Sequence, residues 1–239
     1  MRTARVSATP TINSLSSLPG FDPHSVPVVG IDAHLPPVAP AELTLPALRA
    51  RFQRPVSWEP ELLDEPRFTD RSPAAASVLV AIVERDEPMV LLTQRTAHLS
   101  THSGQIAFPG GRQDPHDHDL TVTALREAQE EIGLQPEFVD VLGTLPIYRT
   151  GSAFVVTPVV GLLRSGFSFV RNPHEVDEIF EVPLAFLMNP ANHRRHAFEW
   201  NGVQREWLSM PYHDGIAERY VWGATAGMLR NFYRFLVAR

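Results

Sequence analysis

Residues 108–134 read FPGGRQDPHDHDLTVTALREAQEEIGL. The apolar positions Leu120, Ala124, Leu125, Ala128 and Ile132 follow a 3.6-residue period, which predicts a helix over about 118–132. Asp117 or Asp119 is placed to cap its start and Gly133 to close its end in a left-handed conformation. On that helix Glu127, Glu130 and Glu131 fall at i, i+3 and i+4, so three carboxylates share one face within a turn. Like charges this close repel unless cations neutralise them. Hard oxygen donors of this kind suit Mg²⁺ or Mn²⁺.

Outward from this segment the texture is mixed. Ala76–Val83 and Met89–Thr93 are β-branched apolar runs separated by Glu84-Arg85-Asp86-Glu87-Pro88, the pattern of a hairpin. Further strands are expected over 138–147, over 153–163 and around 168, a short helix over 183–190, a hairpin over 197–209, and a final helix over 225–237. Without strict βαβ alternation, the expected class is α+β, an α/β/α sandwich with a mixed sheet between helices. Twelve of the 22 prolines lie in the first 75 residues. The expected organisation is therefore a disordered Pro-rich extension over 1–40, a short helical lead-in over 41–73, and the main domain over 74–239.

Composition removes whole classes of chemistry. The chain has no cysteine, and all 21 of its basic residues are arginine. That excludes thiolate nucleophiles, disulfides, Cys-ligated zinc, Schiff bases and a Lys-ending phosphate loop. A net charge of -6 argues against nucleic acid as a partner. No apolar run approaches the roughly 20 residues of a membrane helix. The all-Arg, Cys-free usage suggests a GC-rich bacterial source and hence a cytoplasmic enzyme.

The segment resembles the Nudix box, Gly-x5-Glu-x7-Arg-Glu-U-x-Glu-Glu-x-Gly-U with U apolar. Gly111, Arg126, Glu127, Ala128, Glu130, Glu131, Gly133 and Leu134 meet it. The gap from Gly111 to Arg126 is one residue longer than the pattern, and Asp117 or His118 stands for the early Glu. The flanks resemble the coenzyme A diphosphatase branch of that family. The stretches are Leu91-Leu92-Thr93-Gln94-Arg95, His102-x-Gly104-Gln105-Ile106-x-Phe108-Pro109-Gly110-Gly111, Val156-Thr157-Pro158, Glu175–Leu184 and Tyr220–Ala226. Ser100 stands where the branch tends to carry Arg, and Ala153 where it tends to carry Gly.

The resemblance implies a Nudix fold and hydrolysis of the pyrophosphate of coenzyme A or acyl-CoA by a metal-activated water, with Mg²⁺ or Mn²⁺ as cofactor. It implies Glu127, Glu130, Glu131, the Gly111 carbonyl and, from outside the box, Glu175 as metal ligands, with Arg126 holding a carboxylate in place. Asp177 and Glu178 are rivals to Glu175. Arg95, His102, Gln105, Phe108 and Gly110 are the expected substrate contacts. Partners are then a small nucleotide substrate and, since dimers are common in the family, a second copy of the chain. Other Nudix substrates (ADP-ribose, NADH, a nucleoside triphosphate) and a non-catalytic nucleotide-binding domain are the competing readings. His193-Arg194-Arg195-His196 is either a phosphate-binding patch or a solvated loop, and Trp200, Trp207 and Trp222 are expected in the core or an interface rather than as adenine platforms.

Overall fold

The computed structural model describes residues 14–54, 56–96 and 104–239. Ser100 and His102, singled out in the sequence, lie outside these described residues.

Two β-sheets and four α-helices make up the described chain. In chain order the elements are β1 (Val28–Ile31), α1 (Leu45–Gln53), β2 (Ala74–Val83), β3 (Met89–Arg95), β4 (Ile106–Ala107) and β5 (Gly110–Arg112). There follow α2 (Leu120–Ile132), β6 (Val139–Thr144), β7 (Tyr148–Arg149), β8 (Phe154–Leu163), β9 (Val176–Pro183) and α3 (Leu184–Leu187). The chain ends with β10 (Arg194–Trp200), β11 (Val203–His213), β12 (Glu218–Trp222) and α4 (Gly223–Val237).

β2 is the axis of the larger, eight-stranded sheet. It runs parallel to β8 from Ala74 opposite Phe154 to Val83 opposite Leu163. Its other edge is shared: β3 pairs with Ile82 and Val83, while β5 pairs with Ala76, Ser77 and Val78. Successive residues of β2 point to opposite faces. Leu79, Ala81 and Val83 therefore pack under α2 with Ala124, Ala128 and Ile132. Val80 and Ile82 join Leu229, Phe232 and Leu236 of α4 on the other face. The sheet is mixed and lies between helices, the α/β/α sandwich expected from the sequence.

The smaller antiparallel sheet has the order β1-β10-β11-β12. Its central hairpin turns at Asn201 and Gly202, both with positive φ (52° and 71°), as a two-residue turn of that hand requires. No strand forms around 168; Phe167 and Phe169 instead pack against the cluster beneath α2.

The expectation of disorder over 1–40 fails for residues 14–40. β1 pairs with β10, and Asp32 ties this segment into a buried ionic network. Arg195 donates to both Asp32 carboxylate oxygens at 2.8 Å and to Glu61 at 2.6 Å. Arg230 of α4 donates to Glu61 at 2.7 Å and lies 3.1 Å from Asp32. His193 is fully buried beside it, accepting from Arg230 at Nδ1 (3.1 Å) and bonded through Nε2 to the Leu187 carbonyl (2.8 Å). His196 is buried too, between the Val26 carbonyl and Ser209. The His193–His196 stretch is thus neither a phosphate patch nor a solvated loop. The Arg195 and His196 side chains fasten Val26, Asp32 and Glu61 onto the core. Among the described residues no helix is long and apolar enough to cross a membrane.

Two consequences can be measured. Burial holds the His193 imidazole at about 4, below its ordinary value. At high pH the folded and unfolded chains bind no proton there. As the pH falls through the unfolded value toward the folded one, the unfolded chain takes up a proton the folded chain refuses, so stability declines by a limiting ~3 kcal/mol. Urea unfolding at about pH 7.5 and about pH 5 should therefore cost the natural chain about 2 kcal/mol more than His193→Asn; equal losses would refute the assignment. Second, Ala153 is held at φ 68°, a left-handed conformation. Ala153→Gly should raise stability by about 0.5–1 kcal/mol, read from the denaturation midpoint.

Candidate active site

The cleft begins where β5 meets β2. A Cβ on Gly110 would lie 2.4 Å from the Ser77 carbonyl and 2.6 Å from the Val78 Cα, so only glycine lets this strand approach. A Cβ on Gly111 would lie 2.5 Å from the carboxyl carbon of Glu127. The loop backbone and the helix carboxylate are therefore in direct apposition.

α2 carries its carboxylates into this corner. Its start is capped by Asp119, which accepts from the Val122 amide at 2.9 Å, and its end by Gly133 at φ 69°. Glu131 is buried, its side chain only 3% exposed, and accepts from the Gly110 amide at 3.2 Å. Arg95 Nη1 lies 3.4 Å from its other oxygen. Burial pushes Glu131 up to about 7, Arg95 and the amide oppose that, and Glu127 and Glu175 push it further. Burial raises Glu127 as well. Glu130 points outward, half exposed and paired with Arg126.

Arg126 joins the loop to the helix. It donates to Asp117 through Nε and Nη2 (both 3.0 Å) and to the Arg112 carbonyl (3.1 Å), and it lies 3.0 Å from both Glu127 and Glu130. Asp117 also accepts from the Asp114 amide and the Thr123 hydroxyl, each at 2.9 Å. The Arg126 guanidinium and these donors hold its carboxyl far below the usual carboxylate range. Asp117, and not the exposed His118, thus meets Arg126 across the lengthened loop. Sequence reasoning left the two open because only the folded loop shows which one turns inward.

Glu175 arrives from the far end of α2. The Asn172 amide donates to the Glu131 carbonyl at 2.9 Å and the Asn172 side chain to the Glu175 carboxylate at 3.2 Å, while the Thr96 amide holds the Glu175 carbonyl at 3.0 Å. Its charge reaches both Glu127 and Glu131. Of its rivals, Glu178 is bound to Arg219 at 2.6 and 2.7 Å, and Asp177 is exposed.

Among the described residues no three acidic or imidazole side chains converge into a ready-made metal cage. The donor chemistry nonetheless fits a hard divalent cation. Neighbouring carboxylates, Glu175 among them, raise the proton affinity of Glu127 and Glu131, and a bound cation would reverse that effect. Beside this corner opens a cleft of about 310 Å³ lined by Gly110, Gly111, Arg95, Gln105 and Phe108. Phe68, Phe154, Trp207, Trp222 and Met228 line it as well.

Residues 73–207 match the family profile described as the NUDIX domain. The chain belongs to the Nudix family. It is 38% identical over 194 residues to the uncharacterized Nudix hydrolase NudL of Salmonella dublin, covering 80% of this chain and 94% of that protein. The same identity and coverage hold for NudL of Salmonella enteritidis. Among solved structures, a C. elegans Ap4A hydrolase binary complex shares 23% identity at a TM-score of 0.40, covering 49% of this chain and 85% of that one. The M. smegmatis Nudix hydrolase RenU shares 28% at 0.39, covering 48% and 71%. As a Nudix hydrolase the chain acts on a nucleoside diphosphate derivative.

Removing the anchor of Arg126 tests this construction. Asp117→Ala should lower stability by about 2 kcal/mol, since a buried charged acceptor of several hydrogen bonds is lost, and Asp117→Asn by less. Thermal melts of the two variants check the order.

Proposed function

We propose that this Nudix hydrolase cleaves the pyrophosphate of coenzyme A or acyl-CoA, giving adenosine 3',5'-bisphosphate and 4'-phosphopantetheine or its acyl form. The observation that carries the reading is the junction of two unlike spaces. Gly110 and Gly111, against which the Glu131 and Glu127 carboxylates lie, also line a cleft whose remaining wall is mostly apolar. A pyrophosphate at the corner would leave its second substituent facing that wall. The branch-like stretches around Arg95, Gln105, Phe108 and Glu175 border the same corner, which supports the assignment.

In the reaction the oxygen of water bonds to one phosphorus and the bridging oxygen departs with the other phosphate, the water's protons being shared out between products and solvent. Glu127, Glu130, Glu131, Glu175 and the Gly111 carbonyl would hold Mg²⁺ or Mn²⁺, which supplies charge neutralisation at the phosphoryl oxygens and acidifies water when bound. Arg126 fixes Glu127 and Glu130 and takes no part in bond making. Arg95 is spent on Glu131 in this structure, so a phosphate contact from it requires an exchange of partner. Gln105, Phe108 and Gly110 border the path by which the substrate enters.

Incubation with coenzyme A and Mg²⁺ or Mn²⁺, with products separated chromatographically, should release adenosine 3',5'-bisphosphate, and a chelator should stop it. Glu131→Gln should lower turnover by roughly 100-fold or more, about 2.7 kcal/mol of barrier, without changing the melting curve. Equal rates on ADP-ribose, NADH and coenzyme A would remove the coenzyme A assignment. Unchanged turnover in Glu131→Gln would remove that residue's role.

A further inference from the structure

We infer that the apolar chamber beyond Gly111 receives the neutral, amide-bearing arm of the substrate, leaving the nucleotide half at the open side of the cleft. This rests on the coenzyme A reading above and adds which half lies where, and on which residues.

The size of the chamber comes first. About 310 Å³ is at the lower end of the ~300–1,000 Å³ of pockets that engulf whole ligands, so it holds one substituent of a pyrophosphate and not both.

Charge comes next. A phosphomonoester needs uncommitted cations; Arg95 and the exposed Arg112 stand at the Gly110–Gly111 end of the lining, whereas the charged groups beside the aromatic residues are committed. Both Nη groups of the buried Arg205 donate to backbone carbonyls, Pro66 and Arg67, and its guanidinium lies 3.7 Å over the Phe68 ring. Glu65 nearby accepts from the Gly151 amide at 2.8 Å and the Tyr148 hydroxyl at 3.0 Å.

Ring geometry disfavours a purine. Stacking a planar base needs an open ring face or two parallel ones. One face of Trp207 is covered by His196, 5.4 Å away and 10° from parallel, and Trp222 meets Trp207 at 64°. The Phe68 face is taken by Arg205.

An amide chain suits what is left. Its carbon skeleton matches Phe154, Met228 and Trp222, and its carbonyls are acceptors. Among the described residues, the two buried side-chain nitrogens without a hydrogen-bond partner are Arg205 Nε and Trp207 Nε1, both on residues walling this chamber. Both nitrogens lie below the cavity surface, so a ligand carbonyl reaches them only when these side chains turn toward it, and a buried donor without a partner favours such a turn. Much of the wall is built by residues beyond the matched family segment: Phe68 before it, Trp222, Ala224 and Met228 after it.

Ala224, half-buried on the first turn of α4, gives a way to fill the chamber from its wall. Pantetheine, which lacks every phosphate, is titrated against the whole chain while tryptophan emission is followed; adenosine 3',5'-bisphosphate is titrated separately. Pantetheine should produce a saturable change that Ala224→Phe weakens at least roughly tenfold. The same variant should raise KM for coenzyme A more than it lowers kcat, and leave binding of adenosine 3',5'-bisphosphate in place. Ala224→Leu gives a milder filling should the melting curve of Ala224→Phe show a folding defect, and the two should rank by side-chain size. If the filled chamber loses adenosine 3',5'-bisphosphate and keeps pantetheine, the orientation is reversed and the inference fails. It fails also if coenzyme A is hydrolysed with an unaltered KM in both variants. A natural chain that does not cleave coenzyme A would overturn the substrate reading alone, since the pantetheine titration still reports what the chamber accepts.

Discussion

Three carboxylates on one turn of a helix oppose the folding of that helix, and the Arg126 guanidinium is what makes the arrangement tenable. It sits 3.0 Å from Glu127 and from Glu130 and is itself anchored on Asp117 and the Arg112 carbonyl. One cation therefore serves three acids in two different segments. Its side chain is only 27% exposed, so these contacts are screened less than those of a surface pair. The result is a rigid corner: α2 cannot move without the loop, and the loop cannot move without β5 leaving β2.

Glu131 shows that the same corner is electrostatically strained. Arg126 does not reach it, and its own partners, the Gly110 amide and Arg95 at 3.4 Å, are too few for a carboxylate so buried. Its proton affinity rises accordingly. A structural ion pair would be arranged to lower it. Unrelieved negative potential beside a glycine backbone is what a divalent cation and a polyanionic substrate would jointly exploit, and the same potential would repel the substrate in the cation's absence.

How much of this could be read along the chain depends on how local the physics is. The α2 caps, its apolar stripe and the carboxylate spacing are consequences of 3.6-residue periodicity, and Asp119, Gly133 and the Glu cluster stand where the pattern put them. The Asn201-Gly202 turn is local in the same way. The ionic network is not. Asp32, Glu61, Arg195 and Arg230 span almost 200 residues, and nothing near Pro36-Pro37 hints that Asp32 will find two arginines. Proline density was read as disorder, yet proline removes donors without preventing a segment from packing, and Tyr233 donates to the Pro36 carbonyl at 2.8 Å. β1 was invisible for a related reason: Val28 and Val29 are exposed, so its four residues show no buried face to detect. Trp207 is buried as its sequence suggests, whereas nothing in the hairpin pattern marks Arg205, which is buried as well.

The two halves of the cleft thus have different origins. The acidic half is assembled from one continuous stretch, Gly110 to Glu131, joined by Arg95 of β3 and by Glu175 from the turn before β9. The apolar half is assembled from Phe68, Phe154, Trp207, Trp222 and Met228, brought together only when the smaller sheet and α4 close against the larger one. Phosphoryl chemistry needs donors held to fractions of an ångström, which a single capped helix and a glycine loop provide. Recognition of an apolar substituent needs volume and an absence of charge, which packing between layers provides and which side-chain changes on β11, β12 or α4 can alter without disturbing the carboxylates. In this architecture the carboxylate corner is set by local sequence and the apolar cleft beside it by tertiary closure.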